Sequence, residues 1–278
     1  MSLAGARVVI TGGAGGIGSA IAAELLDAGA AVMLADIDAT SLAATAGRLA
    51  SRGGEVTTVT ANLMTAEGRT ALCQQATAWR ANVLVNNAGV NHFGLYDELA
   101  PGQVEQTVAL NILAPMLLTQ ALLPHLRQQP EAHLLNIGSV FGHIGYPGYA
   151  AYSASKFALR GFSEALRREL AGSPVRVHHL APRATRTRIN TSAVEQMNAA
   201  LNVAMDAPET VARAARMVLE KNLASAVVGW PEKLFARVNA LLPGIVDGAI
   251  VRQLPVIRRF ASQRPQPGAD NNPRRQPA

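Results

Sequence analysis

The sequence predicts an α/β fold in which a doubly wound, seven-stranded parallel sheet carries helices on both faces. Two observations lead to this prediction. Short apolar runs alternate with longer stretches of helical periodicity, and several of the runs are continuous Val, Leu and Ile. Strands that are apolar on both faces are typical of parallel sheets covered on both sides. With 278 residues, 49% of them hydrophobic, the chain has enough apolar material for one such domain.

Strands and helices follow one another in regular alternation. The predicted strands are Arg7–Thr11, Ala31–Ala35, Val56–Ala61, Val83–Asn86, His133–Gly138, Val175–Leu180 and Ala226–Gly229. The predicted helices between them are residues 16–28, 39–52, 65–79, 103–128, 150–171 and 208–221. Since no linker interrupts the alternation, residues 1–229 are predicted to form a single domain.

Residues 230–263 are predicted to form a helical extension. Apolar residues recur there at helical spacing, and Pro243 with Gly244 is expected to divide the stretch into two short helices. Residues 264–278 are rich in Pro, Gln, Asn and Arg, a composition typical of a disordered tail.

Basic residues are concentrated at the C-terminus. Residues 230–278 contain eight Lys or Arg and three Asp or Glu, which accounts for most of the net charge of +6. The body of the protein is nearly neutral, so no nucleic-acid partner is expected. For the basic, apolar extension we weigh four positions: packed on the protein's own core, which is favoured, over the substrate pocket, against a neighbouring subunit, or peripherally on a membrane.

The remaining composition indicates a cytoplasmic location. Cys73 is the only cysteine, so the chain cannot form an internal disulfide. The N-terminus lacks the pattern of a secretory signal, and no run of about 18 apolar residues predicts a transmembrane helix. No metal site is predicted.

A glycine-rich loop joins the first strand to the first helix. Its glycines permit a tight turn and let backbone N–H groups approach a pyrophosphate, which the helix dipole also favours. A plain tight turn is the alternative, but the strand–loop–helix context favours a dinucleotide site. The residues of the predicted cofactor loop are Gly12, Gly15, Gly16, Ile17 and Gly18.

An acidic residue, Asp36, follows the second strand. It can accept hydrogen bonds from the adenosine ribose hydroxyls and it repels a 2′-phosphate, so NAD is favoured over NADP. No Lys or Arg stands in the glycine loop or directly after Asp36 to bind that phosphate. The alternative is that Asp36 only caps the next helix, but Asp38 is better placed for that role.

Tyr152 stands thirteen residues after Ser139. Lys156 follows Tyr152 four residues later on the same predicted helix. The spacing places both side chains on one helix face. A cation one turn away favours the phenolate and lowers a phenol pKa that is ordinarily about 10. An isolated pair of this kind often arises by chance. A nucleotide loop in the same chain favours a proton-transfer site instead.

These motifs together resemble the short-chain dehydrogenase/reductase family in its short, one-domain form. The resemblance covers about residues 5–229 and implies a Rossmann-like, NAD-binding catalytic domain. The matching positions are Thr11, Gly12, Gly16 and Gly18 of the glycine motif, the Asn-Asn-Ala-Gly run Asn86–Gly89, Asn111, Ser139, Tyr152 and Lys156.

The resemblance implies catalytic roles. Tyr152 is expected to be the general acid/base. Lys156 is expected to lower the pKa of Tyr152 and to bind the nicotinamide ribose, and Ser139 to hold the substrate oxygen. Asn111 is expected to hold a water that links Lys156 to solvent. Further implied cofactor contacts are Asn62, Leu63, Asn87, Ala88, Gly89, Pro182 and Thr187.

Arg183 departs from the family pattern, which usually has glycine after Pro182. Three alternatives are open: Arg183 is strained by a positive φ, or the loop turns it towards an anionic group of the substrate or cofactor, or it is solvated on a mobile lid. The lid is expected at residues 190–205. Asn62 also replaces a usual aspartate, but its carbonyl can still accept a hydrogen bond beside adenine.

Four side chains on two loops are predicted to line the substrate pocket: His92, Phe141, His143 and Tyr146. Such an apolar lining suits a lipophilic secondary alcohol or ketone of lipid, steroid or 3-oxoacyl type. The expected activity is hydride transfer between that substrate and NAD(H). An NADP-dependent 3-oxoacyl reductase and a non-catalytic NAD-sensing scaffold are the alternatives. The resemblance also implies a homodimer or homotetramer formed by the helices at 103–128 and 150–171.

Overall fold

The computed structural model describes residues 1–262 and confirms the predicted fold class. Its strands are β1 (Arg7–Thr11), β2 (Ala31–Asp36), β3 (Val56–Thr60), β4 (Val83–Asn86), β5 (Ala132–Ile137), β6 (Val175–Ala181) and β7 (Ser225–Val227). They form one parallel sheet in the order β3-β2-β1-β4-β5-β6-β7.

Helices connect successive strands and continue beyond the last one. They are α1 (Gly16–Asp27), α2 (Ala39–Leu49), α3 (Ala66–Ala78), α4 (Pro101–Val108), α5 (Ala114–Leu126), α6 (Ala150–Glu169), α7 (Ser192–Ala200), α8 (Pro208–Glu220), α9 (Glu232–Leu241), α10 (Pro243–Val251) and α11 (Leu254–Ala261). A π-helical segment, Ala109–Leu113, joins α4 to α5. Short 3-10 turns occupy Ala50–Arg52, Tyr96–Glu98 and Val140–Gly142.

Both faces of the sheet are buried, which explains the continuous apolar strands. Successive strand residues point to opposite faces. Thus Val8 belongs to the core under α1 and α8, whereas Val9 belongs to the core under α3 and α5, and both are fully buried. A polar residue at either position would lie in an apolar layer without water.

The strand order reverses between β1 and β4. The chain leaves β1 towards β2 on one side and later returns to β4 on the other. The loops that follow these two strands therefore diverge and open a crevice at the carboxyl edge of the sheet. Ligands of open α/β sheets bind at such a switch point.

Within residues 1–262, the helical stretch Pro101–Leu126 is long and apolar enough to cross a membrane by length and composition. Three of its leucines, Leu118, Leu122 and Leu126, are buried in the core under the sheet. One face of this stretch is therefore part of the protein interior.

The C-terminal extension forms three helices, one more than predicted. The break at Pro243 is where the sequence indicated it, and a second break precedes Leu254. The inner face packs on the protein's own core, where Val246 of α10 meets Val140 and Ile144. Residue 263 and the predicted tail at 264–278 lie outside the described residues.

Candidate active site

Ser139, Tyr152 and Lys156 meet at the carboxyl end of β5. Ser139 lies just after β5, and α6 carries the other two residues one turn apart. The Tyr152 hydroxyl forms a hydrogen bond with the Ser139 side chain. Lys156 Nζ donates to the Ile137 carbonyl oxygen at 3.1 Å and lies 5.6 Å from the centroid of the Tyr152 ring. The three residues predicted to be catalytic therefore share one small volume.

Ser139 also caps the short turn that follows it. Its Oγ accepts a hydrogen bond from the Phe141 N–H at 3.1 Å. A hydroxyl has two acceptor lone pairs and one donor, so this cap is compatible with the bond to Tyr152. The cap fixes the serine side chain in position beside the phenol.

Burial dominates the protonation of the tyrosine and the lysine. Loss of hydration raises the pKa of Tyr152 to about 12, although the hydrogen bond with Ser139 lowers it in part. The same loss of hydration lowers the pKa of Lys156 to about 8. The expectation that Lys156 makes the phenol acidic is therefore not met in the protein alone. The reason is geometric, because the ammonium group bonds to the Ile137 carbonyl and approaches the tyrosine ring rather than bonding to its oxygen.

Asn111 ties the loop after β4 to helix α6. Its Oδ1 accepts from the Val90 N–H at 2.9 Å, and its Nδ2 donates to the Val90 carbonyl at 2.9 Å and to Ser155 Oγ at 3.0 Å. A methyl group on Gly89 would lie 3.0 Å from Asn111 Oδ1 and 3.8 Å from Lys156 Nζ, so Gly89 leaves open the space between them. The side chain of Asn111 is thus a packing amide, and its expected water stays a prediction.

Thr11 and Asn87 hold the two loops of the crevice together. Thr11 Oγ1 accepts from the N–H groups of Asn87 and Ala88 at 2.9 and 3.0 Å. Asn87 Nδ2 donates to the carbonyl oxygens of Thr11 and Gly12 at 2.9 and 3.2 Å. The glycine loop after β1 is therefore fixed by side chains from the other side of the switch point.

The start of α1 is built to receive an anion. Its N-cap is Gly15, which supplies no side-chain cap, and its first turn has no acidic residue. Gly12 has a φ of +64°, which suits glycine, and a Cβ on Gly18 would collide with the Gly12 carbonyl oxygen. Uncapped N–H groups at a helix start, beside a turn that brings the backbone close, fit the pyrophosphate of a dinucleotide.

Asp36 lies against the glycine loop rather than on the next helix. Its carboxylate accepts hydrogen bonds from the N–H groups of Ala14 at 3.0 Å and Ile37 at 2.9 Å. Asp38 caps α2 instead, accepting from the Thr40 N–H at 3.0 Å. Asp38 is therefore the cap of α2, as predicted, and the ribose contact of Asp36 stays a prediction.

The other expected cofactor residues lie at ends of strands. After β3, the carbonyl of the Asn62 side chain accepts from the Met64 N–H at 3.0 Å, and Leu63 is buried in the core. After β6, the Pro182 carbonyl accepts from the Val140 N–H at 2.9 Å. Thr187 lies beside the glycine loop, since a Cβ on Gly16 would approach its Cγ2 to 2.9 Å.

Arg183 is an internal ion-pair residue, which none of the three alternatives anticipated. Its guanidinium makes two hydrogen bonds to Asp206, at 2.9 and 2.7 Å, and a third to the Trp230 carbonyl at 3.0 Å. It also pairs with Glu232 at 3.2 Å. Its φ is not positive. These hydrogen bonds and the two carboxylates raise its pKa further, so Arg183 joins the lid base to the extension as a fixed cation.

The expected lid at 190–205 contains helix α7, which the sequence did not predict. The segment begins and ends at one point, because the Arg186 N–H donates to the Asp206 carbonyl at 2.9 Å and the Asp206 N–H donates to the Ala184 carbonyl at 2.8 Å. The ion pair of Arg183 with Asp206 reinforces this base. If the lid moves, its two ends at residues 184–186 and Asp206 should therefore stay in place while the residues between them move.

The variant Arg183→Gly restores the usual family residue and should lower the free energy of unfolding by roughly 3 kcal/mol, because it leaves two largely buried carboxylates unpaired. Urea unfolding measures the change. The exposed neighbour Arg186 is the control, and Arg186→Gly should change stability much less. A stabilised Arg183→Gly protein would show that backbone strain, and not the ion pairs, is the dominant property of this position.

Aromatic rings surround Tyr152. Phe141 and Tyr149 approach it with their ring centroids 6.4 and 6.2 Å away, in near-perpendicular geometry. Tyr146 stacks on Phe141 at 4.9 Å and donates its hydroxyl to Gln253 Oε1 at 2.6 Å. An apolar cluster of this kind next to a proton-donating phenol is the chemistry that a lipophilic ligand would contact.

Helices α7 and α11 cover the aromatic cluster around Tyr152. The covering residues are Val194 and Met197 of α7 and Ile257 and Phe260 of α11. Val194 and Met197 lie in the segment expected to form the lid, whereas Ile257 and Phe260 were not expected at the site. A usable signal was present, because Val256, Ile257 and Phe260 recur at helical spacing after the point where the apolar stripe was thought to end.

Neither predicted pocket histidine belongs to this cluster. His92 is 6% exposed, and its ring nitrogens contact Gln106 at 2.8 Å and Gln103 at 3.4 Å on α4. His143 Nδ1 accepts from Arg160 at 2.9 Å, and burial together with that cation lowers its pKa to about 4. Both histidines support the loops around the site, so their expected substrate contact lacks support from the geometry.

Comparisons with known proteins agree with this site. A family model described as short chain dehydrogenase matches residues 6–198. A Mycobacterium tuberculosis protein named oxidoreductase SadH is 32% identical over 245 residues, which is 84% of this chain and 89% of that protein.

Two solved structures share the fold. A short-chain dehydrogenase/reductase from Burkholderia phymatum in complex with NAD has a TM-score of 0.80 at 23% identity, covering 88% of this chain and 96% of its own. A 3-ketoacyl-(acyl-carrier-protein) reductase from Brucella melitensis complexed with NADH has a TM-score of 0.76 at 26% identity, covering 83% and 99%.

Proposed function

Because this chain belongs to the short-chain dehydrogenase family of oxidoreductases, we propose that it moves a hydride between NAD(H) and a lipophilic secondary alcohol or ketone. The observation that carries the proposal is the meeting of Ser139, Tyr152 and Lys156 beside the crevice between β1 and β4. The bound nicotinamide supplies or accepts the hydride. The residues of the chain handle the proton and the substrate oxygen.

Tyr152 carries the proton. In reduction, its hydroxyl protonates the carbonyl oxygen as the carbon receives the hydride, and in oxidation the phenolate takes the proton back. Ser139, already hydrogen-bonded to Tyr152, stabilises the charge that develops on the same oxygen. With a pKa of about 12 in the protein alone, Tyr152 is protonated at neutral pH and is ready for reduction. Oxidation requires that proton to leave first.

Lys156 is the cation that makes this departure easier. It lies one turn from Tyr152 and close to Gly89, at the inner end of the crevice. We propose that it binds the nicotinamide ribose and offsets the phenolate charge in the complex. Asn87, Ala88 and Thr187 would lie along the cofactor, and the start of α1 would hold its pyrophosphate.

We propose NAD rather than NADP, because the buried Asp36 carboxylate lies at the glycine loop. The Asp36→Asn variant should therefore shift the ratio of the two dissociation constants towards NADP by roughly tenfold to a hundredfold, the worth of one charge-assisted hydrogen bond and one repulsion. Fluorescence titration with both cofactors measures the ratio. Asp38→Asn removes an equal charge two residues away and should leave the ratio unchanged; tighter wild-type binding of NADP would contradict the assignment.

The substrate class follows from the aromatic cluster under α7 and α11. We propose a lipid-like, steroid-like or 3-oxoacyl substrate whose apolar body contacts that cluster. The Brucella melitensis relative supports the 3-oxoacyl possibility, since that protein is a 3-ketoacyl-(acyl-carrier-protein) reductase whose structure holds NADH. An NADP-dependent reductase of this type is the nearest alternative.

A panel of secondary alcohols with NAD tests the function. The panel should contain medium-chain and long-chain 2-alcohols, hydroxysteroids and 3-hydroxyacyl thioesters, and absorbance of reduced nicotinamide reports turnover. We expect turnover that increases with the apolar size of the substrate. Cofactor binding without turnover of the panel, or of the matching ketones with NADH, would favour a non-catalytic NAD-binding scaffold.

We also propose a homodimer or homotetramer and a cytoplasmic location. Large apolar residues are exposed on the helices of residues 101–126 and on the adjoining face of α6. Such apolar surfaces usually pack against a partner. These residues are Val108, Leu113, Met116 and Phe157. Light scattering measures the oligomeric state.

Cys73, the only cysteine, is consistent with the reducing compartment of the proposed cytoplasmic location. For the extension, we propose a peripheral membrane contact.

A further inference from the structure

The corner between α9 and α10 is an exposed apolar projection. All residues from 240 to 245 are exposed. Leu241 is 80% exposed, Leu242 57% and Ile245 63%, which are unusual values for three large apolar side chains within five positions. We call these three residues the apolar corner. Four further large apolar side chains are exposed on the same extension: Trp230, Leu234, Phe235 and Val251.

The extension that carries the apolar corner is cationic. The exposed basic residues of the extension are Arg237, Arg252, Arg258 and Arg259. Its described part has two acidic residues, Glu232 and Asp247, and Glu232 already pairs with Arg183. An exposed apolar corner on an extension that carries four exposed arginines fits the interface of an anionic bilayer, which takes the apolar side chains while its headgroups meet the cations.

A second copy of the chain fits this surface less well. A two-fold contact would bring two equally cationic corners together, so like charges would face each other. The chain also has a separate apolar surface on α4, α5 and α6 that is available for self-association. Charge complementarity therefore favours lipid as the occupant of the apolar corner.

The inner side of the same extension reaches the reaction site. Gln253 accepts the Tyr146 hydroxyl at 2.6 Å, and Ile257 and Phe260 close the aromatic cluster that contains Tyr152. The extension thus carries an exposed apolar surface on its outer side and part of the aromatic cluster around Tyr152 on its inner side.

We propose that the apolar corner inserts into an anionic membrane surface and holds the pocket at the bilayer, so that lipophilic substrate enters from the membrane. The docking stands on the exposed surface alone. The entry of substrate rests on the proposed function.

Vesicle sedimentation of the full chain tests the docking. The probes are vesicles of phosphatidylcholine alone and vesicles that also contain phosphatidylserine. We expect binding to the anionic vesicles, weaker binding at high salt, and at least a tenfold loss of partitioning in the double variant Leu241→Asn/Ile245→Asn. The matched control is Leu113→Asn/Met116→Asn, which makes the same number of apolar-to-amide changes on the other exposed apolar face and should still bind.

Each result decides the proposal. Equal sedimentation of the wild type and the corner variant, or no sedimentation with either vesicle, overturns it. A corner variant that changes only the oligomeric state shows that the surface binds a second copy and also overturns it. Turnover of a short, water-soluble alcohol by the corner variant should equal that of the wild type. If neither the wild type nor the corner variant turned over that alcohol, the result would count against the proposed function and not against the docking.

Discussion

Replacing Tyr152 by phenylalanine should lower kcat about a thousandfold, in the middle of the range that general acid–base catalysis contributes. The change removes the hydroxyl that bonds to Ser139 and leaves the ring that packs against Phe141 and Tyr149. NAD affinity and the thermal midpoint should therefore change little. Steady-state rates with the best substrate of the alcohol panel, together with cofactor titration, measure both expectations.

Tyr149→Phe is the matched control, because it removes a hydroxyl from the same aromatic cluster. Its kcat should stay within about tenfold of the wild type, since it takes no part in the proposed proton transfer. If Tyr152→Phe kept its kcat as well, proton transfer would have to occur at another group and the proposed roles would be incorrect.

The pH dependence of the two directions should be opposite in sign. Oxidation needs the phenolate, so its rate should rise with pH, whereas reduction needs the phenol and should fall at high pH. In the protein alone, burial raises the pKa of Tyr152 to about 12. An apparent pKa well below 12 in the oxidation profile would show that the bound cofactor and Lys156 together make the phenol more acidic. Stopped-flow rates across the pH range measure this directly.

Replacing Lys156 by methionine should have two opposite effects. Turnover should fall at least about a hundredfold, because the cation that supports the phenolate is lost. The free energy of unfolding at pH 7 should rise by roughly 2 kcal/mol, because a buried ammonium is costly and the lost hydrogen bond to Ile137 offsets only part of the gain.

The sign of the stability effect depends on pH. Burial lowers the pKa of Lys156 from 10.5 to about 8. Below pH 8 both states hold the proton, and the native state bears the full cost of the buried charge. Between 8 and 10.5 the unfolded state binds more protons, so the stability of the wild type rises with pH and the advantage of Lys156→Met shrinks. Urea unfolding at several pH values measures this, with the exposed Lys221→Met as control. A wild type more stable than the variant at pH 7 would contradict the account.

The sequence was most informative about the positions of the strands in the sheet and about the motifs of the candidate site. Continuous apolar runs located β1, β2 and β4, which are buried almost throughout, whereas β3 mixes Val with Thr and is partly exposed. The least accurate strand was β7, which has three residues at the sheet edge and began one residue before the prediction. Helix α7 was missed because nine residues between polar loops leave a weak periodic signal.

Contacts between residues distant in sequence could not be predicted. The partners of Arg183 lie 23 and 49 residues away, so the pattern showed an unusual residue without showing its ion pairs. The same limit applies to His92 and His143, whose neighbours on α4 and α6 fix their roles. Spacing placed Lys156 beside Tyr152, but the hydrogen bond of Lys156 to Ile137 and the burial of both groups reversed the expected shift of the tyrosine pKa.

A crystal structure of the protein with bound NAD tests the central claim most directly. We expect the nicotinamide to lie in the crevice between β1 and β4, with the hydroxyls of Tyr152 and Ser139 facing it and the Lys156 ammonium at its ribose. A nicotinamide bound elsewhere, or a Tyr152 ring turned out of the crevice in that complex, would contradict the proposed hydride transfer.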